Sequence, residues 1–254
     1  MNILVAPDSF KGTYTAEQVA AAIAEGINAA GALPATQPAA HGGEGTVAAL
    51  AGPLDLALIT VRTIDPWGVL IDAAYGLSPT RTAVVEVAAA SGYSAAAAGR
   101  PDAAVQASSY GTGLLLADAV RRGARHVIVA AGGSASTDGG LGTINAINER
   151  GGMRNARLTV LTDVATRFVD AAPVFGPQKG ATSADVATLT QRLSDLARTL
   201  PRDPSTIDGS GAAGGLAGGL WSVFDAELRS GSDYVLDACG FDTSVAVSTA
   251  VILG

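Results

Sequence analysis

Asn2 to Ala6 is a short apolar run, which predicts a buried strand, and it ends in the polar loop Pro7-Asp8-Ser9-Phe10-Lys11-Gly12. Thr15-Ala16-Glu17-Gln18 has the form of a capping box, in which hydroxyl and carboxamide satisfy exposed amides reciprocally. Val19, Ile23, Ile27 and Ala30 then keep helical spacing up to Gly31. The chain therefore opens strand–loop–helix, the unit of an α/β fold.

The next apolar runs, Leu56 to Val61, Val69 to Tyr75 and Ala83 to Val87, read as strands joined by Asp65-Pro66-Trp67-Gly68 and Ser78-Pro79-Thr80 turns. A helix is predicted over Gly113 to Arg122, then a strand over His126 to Ala131. A helix follows from Leu141 to Asn148, and a strand from Leu158 to Thr162 that ends at Asp163. Val186, Leu189, Leu193, Leu196 and Leu200 fall on one face of a helix over Ala184 to Leu200. A loop over Pro201 to Asp208 leads to a glycine-rich helix from Ala212 to Ser230, closed by Gly231. Tyr234-Val235-Leu236 and Ala250 to Leu253 are short apolar runs at the end. Strand–loop–helix units interrupted by a meander predict two α/β modules, one inserted in the other. No repeat has a solenoid period, and low complexity is confined to patches such as Ala95 to Ala98.

Composition narrows the function classes. The 254 residues include 16 Lys plus Arg and 23 Asp plus Glu, a formal charge of −7. No basic run exists to hold a phosphate backbone, so nucleic acid is not an expected partner. Cys239 is the single cysteine, which excludes an internal disulfide, and two histidines leave little for zinc. No uninterrupted apolar stretch approaches the ~20 residues of a membrane span. The N-terminus lacks the basic start and long apolar core of a signal peptide. A soluble cytoplasmic protein is expected.

The 32 glycines cluster at Gly42-Gly43, Gly111/Gly113, Gly132-Gly133, Gly139-Gly140 and Gly209 through Gly219. Such clusters between apolar segments shape loops around an anion or serve tight turns and close contacts, and composition leaves both open. Asp8-Ser9-Phe10-Lys11-Gly12 leaves a strand, where loops of parallel sheets line ligand crevices. Gly42-Gly43-Glu44-Gly45-Thr46 leads into a helix. Gly132 to Gly140 follows a buried strand and carries Ser134, Ser136, Thr137 and Asp138. Lys179 stands between glycines in Phe175-Gly176-Pro177-Gln178-Lys179-Gly180. Gly209-Ser210-Gly211-Ala212-Ala213-Gly214 spells G-x-G-x-x-G, but a loop precedes it and Asp233 lies in an expected turn, which argues against a dinucleotide fingerprint. The P-loop, the G-x-S-x-G elbow and H-E-x-x-H are absent.

Taken in order, Ala6 to Gly12, Gly42 to Thr46, Ser108-Ser109-Tyr110-Gly111-Thr112-Gly113, Gly132-Gly133-Ser134-Ala135 with Asp138-Gly139-Gly140, Phe175 to Gly180 and Gly211-Ala212-Ala213-Gly214-Gly215 resemble the bacterial glycerate kinase family, of the kind that makes 2-phosphoglycerate. The resemblance spans nearly the whole chain. It implies a flavodoxin-like open parallel sheet, expected over 1–40, 100–149 and 232–254. It also implies an inserted restriction-endonuclease-like mixed-sheet domain, expected over 41–99 and 150–231. It further implies ATP, Mg²⁺ and D-glycerate, or a similar hydroxy acid, with a homodimer left open. The chain departs from the family at His41, where Asp is usual, and at Thr166-Arg167, where Asn-Pro is usual. The stretch between Arg150 and Leu158 is short, and the chain stops at Val251-Ile252-Leu253-Gly254 where the family continues. A binding protein without turnover and a kinase for another hydroxy acid are the alternative readings.

On that resemblance Asp8, Lys11, Asp138 and Lys179 are the expected catalytic residues, with Asp138 as base. Ser9, Gly43, Glu44, Gly132, Gly133, Ser134, Gly211, Ala212 and Gly214 are expected to bind substrate or phosphate, and Asp8 and Asp163 to hold metal. Phosphoryl transfer needs in-line placement and charge neutralisation more than covalent help, which suits amides, lysines and carboxylates gathered on loops.

Overall fold

A computed structural model of the chain describes residues 1–8, 10, 13–37, 40, 42–93 and 102–253. The expected roles of Ser9, Lys11 and His41, and the alanine patch at 95–98, lie outside the described residues. The strands are β1 (Asn2–Ala6), β2 (Leu33–Thr36), β3 (Ala57–Ile64), β4 (Leu70–Leu77), β5 (Thr82–Glu86), β6 (His126–Ala130), β7 (Arg157–Leu161), β8 (Glu227–Arg229) and β9 (Ala250–Leu253). The helices are α1 (Ala16–Ala29), α2 (Thr46–Ala51), α3 (Val87–Ser91), α4 (Ala103–Gln106), α5 (Tyr110–Arg121), α6 (Leu141–Glu149), α7 (Ala171–Phe175), α8 (Ser183–Thr199), α9 (Leu216–Phe224), α10 (Gly231–Ala238) and α11 (Phe241–Ala246).

Two sheets form, as the alternation of strands and helices predicts. The smaller, ordered β2-β1-β9, is wholly parallel. Its central strand is apolar on both faces, and Val5 packs with Ala20 and Ile27 of α1. The capping box is present as expected: Thr15 Oγ1 accepts from the Gln18 amide and the Gln18 carboxamide accepts from the Thr15 amide. The larger sheet is ordered β3-β4-β5-β6-β7-β8. Its first three strands form the antiparallel meander, and β5 through β8 run parallel. Alternating residues of β5–β7 serve two cores. Val85, Val127, Val129 and Val160 meet Leu115, Leu116, Leu216 and Leu220 on one face. Val84, Ile128 and Leu161 meet Leu50 of α2 and Val235 of α10 on the other. Helices thus cover both faces of the parallel part, as a doubly buried parallel sheet requires.

Two sequence expectations meet a different structure. The strand at 126–130, grouped above with the opening strand, hydrogen-bonds between β5 and β7 in the larger sheet. Its partners lie 44 residues before it and 31 after it (Thr82↔His126, His126↔Arg157), and apolarity alone does not choose between sheets. The helix expected over 212–230 is only Leu216–Phe224. Asp225 takes the left-handed conformation (φ 55°) and ends it, and β8 follows. Gly231, expected to stop a helix, instead begins α10, whose first turn includes Asp233.

Candidate active site

The parallel strands β5, β6, β7 and β8 end side by side at Glu86, Ala130, Leu161 and Arg229. In open α/β sheets that carboxyl edge is where ligand crevices form. Four loops meet over it. The segment after β2 starts where the Gln37 amide donates to the Val5 carbonyl, then brings Ala40 into the core of the larger sheet and Gly42-Gly43 onto the strand ends. The Gly132 amide donates to the Gly42 carbonyl at 3.2 Å. A Cβ on Gly132 would lie 2.7 Å from the Gly43 Cα, and one on Gly42 would lie 2.8 Å from the Leu161 Cβ and 3.0 Å from the Gly231 Cα. Two backbones cross here at a separation that only glycines permit. Asp8 leaves the carboxyl end of β1, the same end from which the 37–43 segment departs.

The loop between β6 and α6 runs from this crossing to a second polar cluster. Asp138 is 9% exposed and accepts from the Ser109 amide (2.8 Å), the Ser109 hydroxyl (2.9 Å), the Gly140 amide (3.0 Å) and the Gly142 amide (3.2 Å). It ties the start of α5 to the start of α6. The hydroxyls that stand out in the sequence hold the same loop: Ser134 Oγ accepts from the Ser136 amide and pairs with the Ser136 hydroxyl. Lys179 Nζ reaches in from the Pro177–Lys179 turn, donating to the Ser136 carbonyl at 2.5 Å and to Thr137 Oγ1 at 3.4 Å. Burial pushes its ammonium down to about 8, while the nearby Asp138 charge pulls the other way.

The glycine-rich 209–215 segment joins the same cluster from below. The Gly139 amide donates to the Gly214 carbonyl, and a Cβ on Gly214 would sit 2.1 Å from the Ser136 oxygen. The Gly211 amide donates to Thr166, the Ala212 amide to Gly209, and Ala212 faces the core. These residues shape the loop floor by packing. Gly133 likewise packs on Ala88. Sequence alone left cradle and close contact open, and here close contact accounts for Gly132, Gly211 and Gly214.

The carboxylates at this edge divide by their partners. Asp163 accepts from the Gly231 and Ser232 amides, each at 2.9 Å, and from the Ser230 hydroxyl, capping α10. Glu86, absent from the sequence expectations, accepts from the Val47 amide at 2.8 Å at the start of α2. Its signal in the sequence is an acid closing an otherwise apolar strand. Burial raises its carboxyl above the ordinary range, the neighbouring Glu44 charge adds to this, and the Val47, Gly45 and Thr46 amides oppose it. Glu44 is exposed and receives no hydrogen bond among the described residues. Those residues also contain no group of three or more His, Cys, Asp or Glu placed to hold a metal ion, and no helix long and apolar enough to cross a membrane.

With this geometry in place, known proteins give the comparison. The sequence profile of the glycerate kinase family matches residues 3–151 and 148–254. A glycerate kinase of Halalkalibacterium halodurans is 36% identical over 292 residues, covering 99% of this chain and 76% of that protein. The glycerate 2-kinase of Escherichia coli is 33% identical over 294 residues, covering 100% of this chain and 76% of that protein. A crystal structure of glycerate kinase 2 from Salmonella typhimurium superposes with a TM-score of 0.82 at 33% identity, covering 100% of this chain and 78% of that one. The chain belongs to the glycerate kinase family.

Proposed function

We propose that this protein transfers the γ-phosphoryl group of ATP to a hydroxyl of D-glycerate, giving 2-phosphoglycerate. The observation that carries the reading is the crossing of Gly43 over Gly132 at the carboxyl edge, which presents Glu44 beside the strand ends with no hydrogen-bond partner among the described residues. In the transfer a bond forms from the substrate hydroxyl oxygen to the γ-phosphorus. The bond from that phosphorus to the bridging oxygen breaks, and ADP leaves with the electron pair.

Glu44 orients the hydroxyl and takes its proton, because Asp138 and Asp163 already accept several protein donors and would lose them on protonation. Asp138 instead fixes the loop that carries Gly132, Gly133 and Ser134 beneath the phosphates. Lys179 braces that loop and contributes positive charge; Lys11, which lies outside the described residues, is the second expected cation. Mg²⁺ fits a donor set of one or two carboxylates with phosphate oxygens completing its shell. Asp8 would hold it, and there it would neutralise charge on the phosphoryl oxygens. The cytoplasm, where ATP is supplied, is the expected compartment.

The experiment is incubation with ATP, Mg²⁺ and a panel of small hydroxy acids, with products resolved by phosphorus NMR. A phosphomonoester on C2 of D-glycerate is expected. Turnover of another acid with none of glycerate, or nucleotide binding with no turnover of any, overturns the reading.

A further inference from the structure

We propose that Glu86 is the positioning residue of Glu44: a carboxylate on β5 that clasps the loop carrying Glu44 and holds that side chain at the carboxyl edge. The inference rests on the reading above, in which Glu44 meets the substrate hydroxyl.

The start of α2 has no cap of its own. Its N-cap is Gly45, at φ 91°, which has no side chain to accept from the first amides of the helix. Such amides require an acceptor. Glu86 supplies it from a strand 39 positions further along the chain, accepting from Val47 at 2.8 Å with the Gly45 and Thr46 amides directed at the same carboxylate. The Thr46 hydroxyl donates to the Gly43 carbonyl at 2.7 Å, closing the loop on itself. On the far side Gly42 and Gly43 are locked against Leu161, Gly231 and Gly132. Glu44 therefore sits between two pinned ends, one fixed by glycine packing and the other by Glu86.

The chemistry of the clasp also bears on Glu44 directly. The Glu44 charge lies near enough to disfavour ionisation of Glu86. An acid at 86 keeps Glu44 turned away from the amides that would otherwise attract it, since those amides are already occupied. Position 86 thus needs an acceptor, and a purely apolar residue would release the α2 amides to compete for Glu44 itself.

The test is a double-mutant cycle. E86A is expected to lower kcat by roughly tenfold to a hundredfold, the scale of an ångström-sized misplacement, while KM for ATP stays within about twofold. E86Q, which keeps an acceptor oxygen, should recover most of that loss. E44A/E86A should match E44A within about twofold, because the clasp acts through Glu44. Losses from E44A and E86A that multiply overturn the proposal. If E86A does not fold, the same cycle and exchange measurement are made with E86M, which removes the acceptor and keeps the side-chain bulk. Amide hydrogen exchange supplies a readout that needs no activity: residues 43–47 should exchange faster in E86A while β5–β7 keep their protection. Unchanged exchange there overturns the clasp even in an active enzyme. A wild-type protein that never phosphorylates glycerate defeats the proposed function, and the exchange result still decides the clasp.

Discussion

At the residue scale, charge and burial set what each acid can do. Asp138 accepts from three amides and one hydroxyl at the starts of two helices while nearly buried. Asp138→Asn replaces one accepting oxygen by an NH₂ that faces donors. The expected loss is about 2–3 kcal/mol, a fall in Tm of roughly 5–10 °C for a chain of this size. Thermal unfolding followed by circular dichroism reads it, and a variant as stable as wild type would remove Asp138 from its place as the tie between α5 and α6. Lys179 gives a signature with two opposite signs. Its charge is present below about pH 8 and lost above it. The kcat/KM should therefore decline as pH rises through 8, and K179R, whose charge persists, should lack that limb. Stability runs the other way: between about 8 and the ordinary 10.5, the unfolded chain keeps a proton that the folded one has released. Stability of wild type relative to K179M should then rise with pH across that window, measured by urea unfolding. Sequence showed Lys179 in a glycine-flanked turn but not that the turn aims its side chain inward, because that depends on the 136–138 loop lying beneath it.

At the element scale, propensity and capping were legible and glycine was not. The Thr15–Gln18 box was legible ahead of α1. A second box, Thr182–Asp185, which the sequence reading did not single out, opens α8, with the Asp185 amide donating to Thr182 Oγ1 and the Asp185 carboxylate accepting from the Thr182 amide. Thr182→Ala should lower stability by about 1 kcal/mol, read as a shifted denaturant midpoint at unchanged slope. The stretch 212–230 defeated the same reading. Its alanines and leucines keep helical spacing, yet Gly214 sits at φ 67° with the Ser136 carbonyl where a side chain would go. Gly214→Ala should destabilise by about 3 kcal/mol or more, from strain and overlap together. Unfolding at an unchanged midpoint would contradict that packing. Strand β8 was missed because Glu227-Leu228-Arg229 is short and charged, with a single apolar position to betray it.

At the scale of the whole molecule, strands could be found from apolar runs but their partners could not. The Ile3–Ala250 and Ala6–Leu253 pairings join the two ends of the chain, and β6 settles between β5 and β7 through contacts remote in sequence. The meeting of Gly43, Gly132, Gly214 and Asp138 around connected loops is likewise a product of sheet order. A chain shortened to Ser248 loses β9 and the Ile252 contact with the small core. Its Asn2–Ala6 amides should exchange faster while Val127–Val129 stay protected, and loss of protection in both would show one cooperative unit instead of two.

On the proposed function, the carboxyl ends of the strands, with the loops that cross them, form a single site of phosphoryl transfer. A crystal structure with a non-hydrolysable ATP analogue and D-glycerate tests it most directly. The phosphates are expected over the Gly132–Ser134 turn, with the glycerate hydroxyl nearest Glu44. Both ligands settling instead in the cavity of about 440 Å³ lined by Gln37, Ala49 and Cys239 would contradict the account.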